Sequence, residues 1–220
     1  MKKTLFVIFW ACTLAVQAQY SVLNGSKAAV VFPNAIEVKL DEGNSFPSYI
    51  ELDPAAQPSE ESFFTAVKRM LDSEKFSFHL LNTTPDQLGH EHKRFRMYYN
   101  GIEVAYSNLS VHLMNSKVVS ASGNIKAIVP MVEVASISEE VAKVNALRFV
   151  GASEYMWEID QPANPLQSEY YPKGHLAYLP DYFNGTATLT LTHVFNIYAS
   201  QPLGRELVFV NAVDGNITFN

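Results

Sequence analysis

The chain has 220 residues, 48% of them hydrophobic and 17% charged, with a formal net charge of −6. That apolar content can bury a core in one large unit or two small ones. An acidic chain without a basic cluster is a poor nucleic-acid binder, since phosphate contacts need lysine and arginine gathered on one face. Its densest positive stretch, Lys93-Arg94-Phe95-Arg96, reads as the solvated face of a strand.

Lys2 and Lys3 precede an apolar run from Leu5 to Val16 and the small-residue site Val16-Gln17-Ala18. This is the pattern of a Sec signal peptide over residues 1–18, cut before Gln19, and it predicts a secreted protein. The run falls short of the roughly 20 apolar residues a membrane-crossing helix needs, so no membrane attachment is expected after cleavage. Cys12, the single cysteine, lies inside it. Cleavage would leave no thiol for disulfide, metal or nucleophile chemistry.

Residues 19–58 scatter Gly, Pro, Asn and Ser among short apolar groups such as Val30-Val31-Phe32. They are expected to form a leader or linker with one strand, Ser48 to Leu52. The stretch Asp53-Pro54-Ala55-Ala56-Gln57-Pro58 punctuates the chain. Ser59 then caps a helix, Glu60 and Glu61 suit its positive end, and Phe63, Val67, Met70 and Leu71 recur at helical spacing. The period next changes to two, with Phe76, Phe78 and Leu80 on one face of a short strand. Phe95, Met97 and Tyr99 alternate up to Asn100-Gly101, a pair suited to a two-residue hairpin turn because both positions accept positive φ. Ile102, Val104 and Tyr106 return from it. Leu109, Val111 and Leu113, the turn at Asn115-Ser116, and Val118-Val119-Ser120 leading to Gly123-Asn124 complete a first lobe over residues 59–128.

A second lobe is expected over residues 134–220. Ser138 caps a helix opened by Glu139 and Glu140, with Ala142, Ala146, Phe149 and Val150 along one face and Gly151 at its end. A loop with Pro162, Pro165 and Pro172 leads to a strand at His175 to Leu179. From Thr186 to Ala199 the chain alternates, with Leu189, Leu191, Phe195 and Ile197 opposite Thr188, Thr190 and Thr192, which predicts a half-exposed strand. Glu206 to Val213, continuing through Asp214-Gly215 to Ile217, reads as a closing hairpin. The fold class is therefore α+β, in two lobes, each a helix packed on an antiparallel β-sheet.

Of the six histidines, four bear on metal or acid–base chemistry by their spacing. An H-E-x-x-H zinc site sets two histidines four apart on one helix face, with the glutamate polarising a water. In His90-Glu91-His92-Lys93-Arg94 the second histidine is replaced by Arg94. His90 and His92, two apart, share a face only in a strand, and no partner segment with a carboxylate is evident, so they read as polar residues at a strand entrance. His79 has no partner motif. His193 falls in the apolar row of Leu189, Leu191, Phe195 and Ile197 and reads as a core histidine, whose burial would make acid destabilising. No serine sits in a G-x-S-x-G elbow and no glycine-rich loop could cradle phosphate. Glu60-Glu61 and Glu139-Glu140 are explained by helix dipoles. No catalytic, cofactor-binding or metal-ligating residue is expected. N-x-S/T matches at Asn24, Asn82, Asn108, Asn184 and Asn216 carry no functional weight.

One segment carries a resemblance. Asp86-Gln87-Leu88-Gly89, His92, Arg94-Phe95, Tyr99-Asn100-Gly101-Ile102, Val104, Leu109-Ser110-Val111-His112 and Val118-Val119-Ser120 through Gly123-Asn124 together resemble the fungalysin/thermolysin propeptide motif. The signature positions are Leu88, Gly89, His92, Arg94, Tyr99, Gly101, Val104, Val111, His112 and Gly123. Two departures stand out: Arg96-Met97 replaces the glutamines common after the Arg-aromatic pair, and Ser116 holds a turn position where the family has glycine. The second lobe resembles a PepSY-type domain in Ser138-Glu139-Glu140, in Tyr155-Met156-Trp157-Glu158, and in Val208-Phe209-Val210-Asn211-Ala212 with Asp214-Gly215; Asn211 stands where such domains often have Asp. The resemblance spans residues 46–220, and Phe46-Pro47-Ser48-Tyr49-Ile50 looks like bacterial members.

The resemblance implies the pro-region of a secreted thermolysin-like zinc metalloendopeptidase. Such a region assists folding of the catalytic domain that follows, inhibits it in cis and is removed on maturation. Zinc and calcium are then expected only in that attached domain, and no cofactor in this chain. The end at Asn220 falls where the family passes into the protease, which suggests a truncated precursor or an isolated pro-region. The alternatives are a free-standing secreted inhibitor or binding module acting on a peptidase in trans, an enzyme in its own right, and a structural adaptor.

Overall fold

A computed structural model describes residues 20–42, 44, 46–159, 170–181 and 188–219. The signal segment with Cys12, the prolines Pro162 and Pro165, Asn184 and the start of the run at Thr186 lie outside the described residues. In chain order the elements are β1 (Tyr20–Asn24), α1 (Ser26–Val31), β2 (Ala35–Asp41), β3 (Tyr49–Leu52), α2 (Glu60–Leu71), β4 (Phe76–Pro85), β5 (His90–Tyr99), β6 (Ile102–Met114), β7 (Lys117–Gly123), α3 (Glu139–Val150), β8 (Glu154–Tyr155), β9 (His175–Pro180), β10 (Leu189–Gln201), β11 (Leu203–Asn211) and β12 (Ile217–Phe219).

The α+β class, with helices packed on antiparallel sheet, is what the chain adopts. The strands of its two halves join into one sheet of order β1-β2-β3-β7-β6-β9-β10-β11-β12, with β4 and β5 branching from β6. The join is a short parallel pairing of β6 with β9, Glu103 opposite Ala177 and Val104 opposite Tyr178. Strand β6 can serve both halves because it is 13 residues long. Along one edge it pairs with β5, and along the other with β7 and then β9.

Helix α2 forms where the spacing requires. Ser59 accepts a hydrogen bond from the Ser62 amide, Glu60 and Glu61 occupy the first turn, and Phe63, Val67 and Leu71 are buried. They meet Phe95, Met97, Tyr99, Leu109 and Val111 from the sheet in the largest core cluster. Removing a ring such as Phe63 from such a core typically costs about 3–5 kcal/mol. Helix α3 uses a different solution. Its buried residues are Ala142 and Ala146, small enough to let the helix lie close against Phe195, Ile197, Val208 and Val210. Ser138 caps it, and Gly151 ends it in the left-handed conformation at φ 63°.

Three expectations need correction. Residues 19–58 are more than a leader with one strand: β1, α1 and β2 precede β3, and Ala28, Phe32, Ala35, Val38 and Phe46 are buried in the main core. Phe149 does not share the buried face of α3; it is exposed. Strand β10 is not half-exposed through its middle, since Thr192, His193, Val194 and Phe195 are all buried. A cluster of Ala105, Ala177, Leu179, Val194 and Phe209 covers the face that the threonines were expected to leave wet, and Thr192 Oγ1 donates to the Ala177 carbonyl at 2.8 Å.

Candidate functional site

Strands β4 to β7 form an antiparallel meander that carries all ten signature residues. The Asn100-Gly101 turn has φ of 48° and 80°, as a two-residue turn of this kind requires. At the next turn Asn115 and Ser116 also take positive φ, 50° and 62°. Ser116 therefore holds with a side chain a conformation that glycine enters freely.

The hairpin register changes part-way along. Tyr99 pairs with Ile102 and Tyr98 with Glu103, but Arg96 pairs with Asn108. An uninterrupted ladder from the turn would place His92 opposite Leu109. Instead β6 bulges, with Tyr106 in the bulge at φ 60°, and His92 comes opposite His112. Because side chains alternate faces, an odd register shift changes which side chains meet. The bulge thereby keeps Leu109 inward against Phe95.

Around His92 a polar chain assembles. The Asp86 carboxylate closes the turn between β4 and β5, accepting from the Leu88 amide at 2.8 Å and the His90 amide at 2.9 Å. Its other oxygen lies 3.2 Å from His92 Nε2 and 3.3 Å from His90 Nδ1. His92 Nδ1 lies 2.6 Å from His112 Nδ1. Asp86 is lowered from its ordinary 3.8 to about 2, first by the His90 amide bond and then by those from Leu88 and His92. His112 is pushed below the ordinary histidine value, chiefly by burial and then by charge on His92 and His90. The expectation that His90 and His92 lack a carboxylate partner is thus overturned. Both face the same side of a strand, and Asp86 is the missing partner, supplied by the turn rather than by a distant segment. The pattern D-x-x-x-H-x-H was the available signal. Among the described residues, no group of three or more His, Cys, Asp or Glu is arranged to hold a metal ion. The two ring nitrogens facing each other at 2.6 Å lie within hydrogen-bond distance, one ring able to donate and the other to accept.

The other signature residues serve the framework. Leu88 is exposed at the turn, and Gly89 takes φ 87° there. Arg94 is exposed on the histidine face, paired with Ser110. Val104 and Val111 are fully buried. The Tyr99 hydroxyl donates to Glu133 at 3.0 Å, and the same carboxylate oxygen accepts from Lys75, tying residue 133 to the base of the hairpin. That bond holds Glu133 below, and Lys75 above, their ordinary values. Gly123 is required sterically. A Cβ there would lie 2.3 Å from the Asn108 carbonyl oxygen and 3.0 Å from Leu109 Cα. Elsewhere, His79 stacks on Tyr98 at 4.2 Å. His193 is buried as expected, with Nε2 3.1 Å from the Ile137 carbonyl.

The site is thus a polar, histidine-bearing sheet face on an antiparallel meander, within a protein of the α+β class. The family model described as Fungalysin/Thermolysin Propeptide Motif matches residues 76–125. That segment runs from the first residue of β4 to just past β7 and contains every signature residue. The chain thus carries a propeptide motif of the kind found in metalloprotease precursors. No curated protein matches. Among solved structures, the Bacillus megaterium YpeB C-terminal domain aligns with 94% of this chain and 89% of its own, at 13% identity and a TM-score of 0.37. Among the described residues no helix is long and apolar enough to cross a membrane.

Proposed function

We propose that this chain is the pro-region of a secreted zinc metalloendopeptidase of the thermolysin-like kind, acting as intramolecular chaperone and cis-inhibitor of the catalytic domain and removed on maturation. The observation that carries this is the propeptide motif over residues 76–125, coincident with one structural unit rather than scattered across several. Export through the signal segment 1–18 and a PepSY-like character for residues 134–220 belong to the same reading. The ten signature residues act as framework in it and none as a catalyst; the zinc and the hydrolytic chemistry reside in the partner domain.

A template for folding needs no reactive group. It needs a surface that keeps its shape while the partner condenses on it, and the meander provides one through its turns, the Gly123 approach and the α2 core. Titrating the purified chain against a thermolysin-like catalytic domain tests the reading. Inhibition reaching completion near one equivalent, together with a higher yield when that domain is refolded in the chain's presence, is the expected result. Unchanged activity and unchanged refolding yield would overturn it.

A further inference from the structure

The chain Asp86, His92, His112 has a proton inventory that its geometry fixes. The carboxylate can only accept, so His92 carries its hydrogen on Nε2. In the uncharged state His92 Nδ1 is then an acceptor, and His112 Nδ1–H donates to it across 2.6 Å. One added proton makes His92 an imidazolium that donates to Asp86 from Nε2 and to His112 from Nδ1, while His112 moves its hydrogen to Nε2. Charge-assisted bonds of this type are the stronger ones. A second added proton leaves no acceptor between the rings: N–H faces N–H, and two positive charges sit in contact.

We propose that Asp86, His92 and His112 form a proton-operated clasp fastening the distal end of the β4–β5 ribbon to β6, closed with at most one positive charge on the two rings and open with two.

The surroundings favour this. Among the described residues strand β4 pairs with β5 alone, and its residues from Leu80 to Pro85 are exposed. The ribbon's far end therefore depends on what β5 makes with β6. The groups facing the pair are Asp86 from the turn, His90 and Arg94 from β5, Ser110 from β6, Thr84 of β4 opposite His92, and Ser120 of β7 opposite His112. On the reverse face Lys93 pairs with Glu60 of α2. Three of the neighbours are uncharged, and Arg94 adds positive charge beside the rings, as His90 does once protonated. Asp86 stabilises the first charge but sits on the far nitrogen of His92, so it does little for a second on His112. The lowering of His112 agrees in direction. On the pro-region reading, acid would then loosen the segment that carries the propeptide motif; that consequence rests on the reading, whereas the clasp does not.

The test uses the chain alone, so its outcome is separate from that of the inhibition assay. Imidazole nitrogen spectra between pH 8 and 4 should show the two rings titrating in two separated steps. Exchange of the amides at 90–93 and 111–114, corrected for intrinsic rates, should accelerate as pH falls from the ordinary histidine range towards the second step, by up to about tenfold per pH unit because one proton is taken up per opening, and level off below that step. Amides of β10 and β11 should not follow. His112→Gln and, separately, His92→Gln should each abolish the acceleration. Rings that titrate independently, acceleration that spreads equally to β10 and β11, or acceleration that survives either substitution would overturn the clasp.

Discussion

Gly123→Ala is the sharpest single perturbation of the meander. The added methyl would stand 2.3 Å from a backbone carbonyl oxygen and 3.0 Å from a backbone Cα, neither of which can swing aside as a side chain could. The end of β7 must move instead. Overpacking of this kind costs about 1–3 kcal/mol. The movement also strains two hydrogen bonds, Gly123 amide to Ser48 carbonyl at 3.0 Å and Asn124 amide to Asn108 carbonyl at 2.9 Å, each contributing about 0.5–1.5 kcal/mol. A loss of about 2–6 kcal/mol follows, a large share of the 5–15 kcal/mol that typically separates folded from unfolded domains. Chemical denaturation of the wild type and the variant measures it. Gly101→Ala is the control: its Cβ would meet nothing within 4 Å, so only the positive φ acts, at about 1–2 kcal/mol. If Gly123→Ala unfolds within 0.5 kcal/mol of wild type, roughly the scatter of neutral surface changes, the steric argument is wrong.

Ser116→Gly should stabilise the chain by about 0.5–1 kcal/mol. Relief of about 1–2 kcal/mol at φ 62° outweighs the greater freedom of glycine in the unfolded chain; thermal melts should show a rise of a few degrees at most, and a fall would contradict it. Ser138→Ala removes the acceptor for the Val141 amide at 3.3 Å and should cost about 1 kcal/mol, read from the denaturation midpoint. Asp86 is held near 2, below its ordinary 3.8. It contributes stability that is present above the ordinary value and lost as pH falls from 3.8 towards 2. Asp86→Asn should flatten that acid limb in pH-dependent melts; a limb of unchanged steepness would count against the Asp86 contacts.

Local patterns were readable because local physics sets them. Phe63, Val67 and Leu71 lie on one helical stripe whatever the rest of the chain does, and Asn100-Gly101 accepts positive φ at both positions. The early strands were missed for the opposite reason. In β1, Tyr20 and Val22 are exposed and only Leu23 is partly buried, so there is no alternation to read. The histidine pair was hidden by register. Counting back from the Asn100-Gly101 turn points His92 at Leu109, and only the bulge around Tyr106 delivers His112. The dry second face of β10 was likewise beyond reach, because its cover comes from Ala105 and Phe209 on other strands. Threonines in strict alternation look wet until a distant segment packs on them.

The pro-region reading is best challenged by extending the reading frame past Asn220, expressing the whole precursor and following its processing alongside caseinolytic activity. The reading predicts an H-E-x-x-H domain after Asn220 and activity that rises as residues 19–220 are released. A frame that encodes no such domain, or a precursor fully active while still uncut, would contradict it.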